Sequence, residues 1–140
     1  LVTAWDGALH AFDLSSGQPR FSVTTQGLSM SSPAVWDDMA CFGSHDHSLT
    51  CVGLASGQIR WKAFTGGIVS SSPVIVKDPR LVIVGSVDGS IYAYWLDSGA
   101  LAWSCFLGTA ITSVPVALDR SLFVNDNLGT VWRLDESDEP

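Results

Sequence analysis

Positive charge is scarce in this chain: seven Lys and Arg stand against fourteen Asp and Glu among 140 residues. The cations are scattered, so no basic stripe exists to neutralise a run of phosphates, and nucleic acid is excluded as a partner. Long apolar runs are missing as well. None reaches the roughly 18 residues that a membrane-spanning helix needs, and no basic start followed by an apolar stretch marks a secretion signal. No segment sustains apolar residues at a 3.6-residue period, which argues against a helical architecture. Cysteine is limited to Cys41, Cys51 and Cys105. Three thiols cannot all pair internally and none forms a Cys-x-x-Cys spacing, so Cys41 and Cys51 read as small buried hydrophobes rather than metal or redox ligands. The chain starts at Leu1 instead of Met and is expected to be a piece of something longer.

Glycine and tryptophan are plentiful by contrast, thirteen and six, in a chain that is 46% hydrophobic and 15% charged. That composition packs a core and turns often; it does not describe disorder. The length suits one compact unit. Net charge is −7, but Asp135, Glu136, Asp138 and Glu139 all fall at the very end, so the acidity belongs largely to the last few residues.

The chain repeats itself. Pro33, Pro73 and Pro115 follow Ser-Ser, Ser-Ser and Ser-Val at steps of 40 and 42; Gly17, Gly57 and Gly99 keep the same steps, as do Phe21, Trp61 and Trp103. Gly7, His47, Gly89 and Gly129 step by 40, 42 and 40. Self-similarity near forty residues is the mark of a repeat architecture. In the third unit "RLVIVGS" is followed by Asp88–Gly89 and then by the alternating "SIYAYWL", and Asp6–Gly7 marks the same turn in the first; an Asp-Gly pair between apolar runs is a hairpin signal, because glycine accepts the positive φ of the turn. Four short antiparallel strands per unit describe a propeller blade. The expected fold is therefore all-β, a partial β-propeller of about three and a half four-stranded blades. Its parts are a partial blade over residues 1–24, blades over 31–64 and 71–107, a partial blade over 112–135, and an acidic tail over 136–140. An open stack leaves unpaired strand edges at both ends. The expected partners are thus other blades of a parent chain, or a second copy closing a ring of about seven blades, together with a protein partner whose identity the residues do not disclose.

Three stretches carry a resemblance. "AFDLSSGQPRF" (11–21), "CVGLASGQIRW" (51–61) and "AYWLDSGALAW" (93–103) resemble the tryptophan-docking motif A-x-D-x-x-T-G-x-x-x-W of the quinoprotein, or PQQ-like, β-propeller family. The motif Asp is kept as Asp13 but replaced by Gly53 and Trp95, and the motif Thr is Ser throughout. The resemblance implies structural docking by Phe21, Trp61 and Trp103 against Gly17, Gly57 and Gly99, locking one blade to the next. It also frames the function. In the family's dehydrogenases a quinone sits in an eight-blade channel near calcium and, in many members, a disulfide of adjacent cysteines; this chain has no adjacent cysteines and no converging Glu, Asn and Asp. No catalytic, cofactor-binding or metal residues are assigned.

Other polar stretches have plainer readings. In His45–Asp46–His47 the two imidazoles lie two apart, yet His47 stands where other units carry a turn glycine, so the group reads as a solvated hairpin tip. His10 sits alone on a strand. Ser70–Pro73, Met30–Pro33 and Thr112–Pro115 open the innermost strand of each blade with hydroxyls that satisfy nearby backbone; no nucleophile elbow surrounds them. Asp37–Asp38 and Lys77–Pro79 read as exposed turns. The expected function is a noncatalytic propeller segment for protein interaction, or an accessory domain of a larger protein. By resemblance such segments occur in a bacterial outer-membrane assembly lipoprotein, in kinase sensor domains, and at the C-terminus of acyl-CoA synthetase-like enzymes; the rival is a segment of a PQQ-dependent dehydrogenase. Unpaired cysteines and the acidic ending point to an intracellular multidomain parent. Truncating Trp61 or Trp103 to Ala is expected to cost roughly 3–5 kcal/mol in a thermal melt.

Overall fold

A computed structural model describes residues 1–135. The acidic tail assigned to 136–140 lies outside the described residues. Alternating and fully apolar runs separated by tight turns leave the chain one choice, and the described residues contain fourteen strands and no helix. The first sheet pairs β1 (Val2–Thr3), β2 (Ala8–Phe12) and β3 (Pro19–Thr24) in that order. Two four-stranded sheets follow: β4 (Ala34–Trp36), β5 (Met39–Gly43), β6 (Ser48–Gly53) and β7 (Ile59–Phe64), then β8 (Val74–Val76), β9 (Leu81–Gly85), β10 (Ser90–Trp95) and β11 (Leu101–Phe106). The last sheet has β12 (Val116–Leu118), β13 (Ser121–Asn125) and β14 (Val131–Asp135). Every pairing is antiparallel between sequence neighbours, which is the up-and-down order of propeller blades.

The short strands β4, β8 and β12 lie nearest the common axis, β8 touching both of the others. The strands beside them, β5 and β9, are buried along their whole length. A strand covered on both faces by neighbouring sheets has no solvated side to alternate with, and "MACFG" and "LVIVG" are accordingly apolar throughout. Before each Ser-Gly turn the outer pairing slips by one residue, at Ala11/Phe12, Cys51/Val52 and Ala93/Tyr94. The same bulge in three units brings the turn round at the same place, as a repeated sequence should.

Instead of one central core, the apolar side chains form a slab at each blade junction. Leu9 and Val23 meet Ala40, Phe42 and Val52 between the first and second sheets. Met39, Leu49 and Trp61 meet Val82, Val84 and Leu96 between the second and third. Leu81, Ile83 and Ile91 meet Leu122 and Val124 between the third and fourth. Alternate residues of one strand serve opposite junctions, as Ala40 and Cys41 do, because successive side chains point to opposite faces.

A charged group anchors the second blade's hairpin. Asp46 accepts from Lys62 Nζ at 2.8 Å, from the Gln26 amide of the preceding loop at 3.1 Å, and from the Ser48 amide and hydroxyl. Burial raises its carboxyl pKa, but these donors outweigh that and hold it well below the usual carboxylate range. A depressed folded-state pKa contributes stability that is complete above the unfolded value near ~3.9 and is lost as the pH falls through the folded one. Asp46→Asn is therefore expected to destabilise the chain by roughly 1–3 kcal/mol at neutral pH, with the gap to wild type narrowing below pH ~4. Melts followed by circular dichroism across pH read this out; a gap independent of pH would exclude the charge as its origin.

Candidate functional site

The blade junctions gather the residues that the repeat singled out. Each Ser-Gly turn ends in a glycine at positive φ, +73° at Gly57 and +71° at Gly99, a conformation that side chains disfavour. The Trp61 indole lies over Gly99: a β-carbon there would stand 2.6 Å from ring atoms Cδ2 and Cε3. Only a bare glycine admits the ring. The indole nitrogen then donates to the Leu96 carbonyl at 2.8 Å, which uses the polar end of a side chain only 9% exposed. Phe21 covers Gly57 in the same way, and a β-carbon there would lie 2.8 Å from ring Cγ. Having no N–H, Phe21 makes the stack without the hydrogen bond.

The pairing runs forward by one unit: Phe21 meets Gly57 and Trp61 meets Gly99. Gly17 has nothing within 4 Å of where its β-carbon would be. Trp103 is 37% exposed and has no glycine against it among the described residues. By the same repetition its turn would follow β14, where the described residues end. Trp103 instead lines an open cleft of about 310 Å³ with Val76, Leu81, Ile83, Leu122 and Leu134.

A second set of contacts at the junctions escaped the sequence reading. Gly43 faces Val69, and a β-carbon on it would lie 2.7 Å from the Val69 carbonyl oxygen; at Gly85 the distance to Ile111 Cβ would be 2.9 Å. The loop between blades bonds to both. Val69 N donates to the Ser44 carbonyl at 3.1 Å while Val87 N donates to that of Ile68 at 2.9 Å. Ile111 N to the Ser86 carbonyl and Asn127 N to that of Ala110 repeat the clasp at 3.0 Å each. The signal was present: Gly43 to Gly85 and Val69 to Ile111 both step by 42, but small and aliphatic residues stand out less than Trp and Pro.

The polar candidates are absorbed by local structure. His47 has φ +69°, the turn role its alignment with glycines implies. His45 Nε2 meets the Ser70 hydroxyl at 3.0 Å. His10 is bridged, Nδ1 to Ser22 Oγ and Nε2 to Asp6 Oδ2, both at 2.8 Å. The hydrogen bond from His10, with the Ala8 amide, lowers the Asp6 carboxyl pKa. At the head of the inner strands Ser71 Oγ donates to the Ser113 carbonyl at 2.6 Å, the Ser32 amide donates to Ser72 Oγ at 2.8 Å, and the Gly43 amide donates to Ser31 Oγ at 2.9 Å. Among the described residues no buried side-chain nitrogen or oxygen lacks a partner, and no three His, Cys, Asp or Glu converge as a metal site. Among the described residues no helix is long and apolar enough to cross a membrane.

Exposed apolar side chains occur beside the Ser-Gly turns, as Leu14, Ile59 and Leu101 do, and on the short strand β12, and a further group stands at the hairpin end of the blades. Phe64 and Phe106 close the outer strands there, 65% and 70% exposed, and Trp5 and Leu128 sit on hairpin turns at the same end, 75% and 83% exposed. Ser48↔Phe64 and Ser90↔Phe106 pair next to those turns, so the aromatic ends and the hairpin tips share a rim.

Antiparallel sheets around an axis, joined by rings seated on the next unit's glycine, define a segment of a PQQ-like β-propeller. The chain belongs to the repeat family described as outer membrane protein assembly factor BamB, which matches it over residues 1–103 and again over 45–139. No curated protein matches it significantly. Among solved structures it is similar to BamB from Moraxella catarrhalis, with a TM-score of 0.82 and 22% identity over 94% of this chain and 44% of that one. The computationally designed Ika4 protein superposes with a TM-score of 0.81 and 18% identity, over 96% of this chain and 83% of that one. Sqt1 from Saccharomyces cerevisiae gives 0.84 and 16%, over 95% and 40%. At such identities the likeness establishes the fold. This chain spans less than half the length of the Moraxella and yeast proteins.

Two contrasts isolate the ring contact. Gly17→Ala and Gly99→Ala impose a similar backbone cost, roughly 1 kcal/mol, but only Gly99→Ala also displaces an indole, so it is expected to be the more damaging by a further 1–3 kcal/mol, an order-of-magnitude figure for overpacking. Trp61→Ala is expected to cost roughly 3–5 kcal/mol and Trp103→Ala clearly less, because its ring is already part-solvated. Chemical denaturation of the four variants decides; equal losses within each pair would rule out forward docking.

Proposed function

We propose that this chain is a noncatalytic segment of a larger β-propeller that serves protein interaction, and that the rim carrying Trp5, Phe64, Phe106 and Leu128 is its contact surface. The observation that carries this reading is the contrast at that end: the polar groups are spent on turns and clasps, while large apolar side chains stand in solvent in all four sheets. Apolar groups grouped on a rigid frame are what a protein partner buries. The family description supports an accessory role of the kind it names, assembly of outer-membrane proteins. The proteins matched are not acyl-CoA synthetases, so an acyl-CoA synthetase parent receives no support from them, and no arrangement of residues here favours a quinone-dependent dehydrogenase.

The test uses the full-length protein that contains this chain. Crosslinking in intact cells followed by mass spectrometry is expected to join this rim to components of outer-membrane protein assembly, and Phe64→Ser with Phe106→Ser is expected to weaken those crosslinks ~10-fold or more with the fold retained. Crosslinks confined to neighbouring blades, or saturable binding of PQQ by the protein, would overturn the proposal.

A further inference from the structure

Cys41 and Cys51 do more than fill space. They face each other directly across β5 and β6, and their sulfurs approach to 2.6 Å. The ladder around them is bracketed by hydrogen-bonded pairs: Ser44 N donates to the Ser48 carbonyl at 2.9 Å and Leu54 N to that of Asp38 at 2.7 Å. Alternation along an antiparallel pair then makes 41/51 a non-hydrogen-bonded position, where α-carbons stand about 4.5 Å apart and side chains come closest. That spacing lies within the range of roughly 4.4–6.8 Å that a disulfide spans. We propose that Cys41 and Cys51 are a disulfide-forming pair that staples β5 to β6 inside the junction slab, leaving Cys105 as the chain's single thiol.

Both cysteines are fully buried, packed with Met39, Leu49, Trp61, Val82 and Val84. The hydrogen bond that Cys41 donates to Cys51 and the burial push the Cys41 thiol far above its usual pKa. A buried protonated thiol is a poor nucleophile, so the folded dithiol exchanges slowly and the bond is made while the chain folds, before the third blade closes over the pair. The oxidant is a small disulfide such as oxidised glutathione. One cysteine thiolate attacks it and releases one thiol; the second cysteine thiolate then displaces the other from the mixed disulfide. Two protons and two electrons leave the cysteines, one Cys–Cys bond forms, and one glutathione disulfide becomes two glutathione thiols. Cys105 takes no part: it lies on β11 opposite Ile91.

Refolding the protein in oxidised glutathione tests this, with intact mass, thiol titration in denaturant and peptide mapping as readouts on the wild-type chain. The expected result is a mass lower by two hydrogens, one titratable thiol and a linked peptide joining Cys41 to Cys51. Cys105→Ser is expected to keep that loss and Cys51→Ala to abolish it. The oxidised form is expected to melt roughly 5–10 °C above the reduced one. Three titratable thiols after oxidative refolding, a stable glutathione adduct, or a linkage through Cys105 would each overturn the proposal. None of these readouts depends on the protein having an interaction partner.

Discussion

A single blade cannot stand alone, and the fold answers this with an aromatic ring pressed on a glycine of the following unit. The second and third sheets are apolar on both faces, so each is covered twice, and the cover is a neighbouring blade on either side. The Trp61 ring on Gly99, with its nitrogen bonded to the Leu96 carbonyl, registers one sheet on the next in distance and rotation together. Val69 against Gly43 and Ile111 against Gly85 do the same nearer the hairpins. The ring contact and the glycine contact lie at opposite ends of a blade, so together they resist both sliding and tilting.

The forward step of that docking explains the asymmetry of the two ends. Gly17 presents a turn to no ring, and Trp103 presents a ring to no glycine turn among the described residues. The cleft beside Trp103 is lined by the same kinds of residues that are sealed one junction earlier. Repeat proteins derive their stability from nearest-neighbour interfaces, and among the described residues the first and last sheets each show one such interface.

Function in such a frame resides where the repeat leaves side chains unused. The hairpin carboxylates, the histidines and the serines at the heads of the inner strands are engaged in turns and inter-blade bonds. The rim aromatics are largely exposed, although the Lys62 ammonium lies 5.6 Å from the centroid of the Phe64 ring and Phe106 packs beside Gly89. The buried cysteine pair belongs to the frame, reinforcing the second blade at the junction it shares with the third.

Much was legible beforehand because a repeat states its own period. The spacing of Pro33, Pro73 and Pro115, the Asp88–Gly89 turn and the Ser-Gly turns carried the strand count, and His47 at a glycine position is borne out by its φ. The identity of the docking partners was not legible. Nothing along the chain tells whether Trp61 covers Gly57 of its own unit or Gly99 of the next, and the residues that meet Cys41 and Gly43 are likewise chosen by geometry.

By itself the sequence determined the strands, their turns and their recurrence, since these rest on alternation and backbone freedom within a few residues. Only the tertiary structure decided which ring meets which glycine and which cysteine faces which. The first choice depends on how one twisted sheet lies against the next, a relation between segments some forty residues apart that no local pattern encodes, and the second on the register of the β5–β6 hairpin.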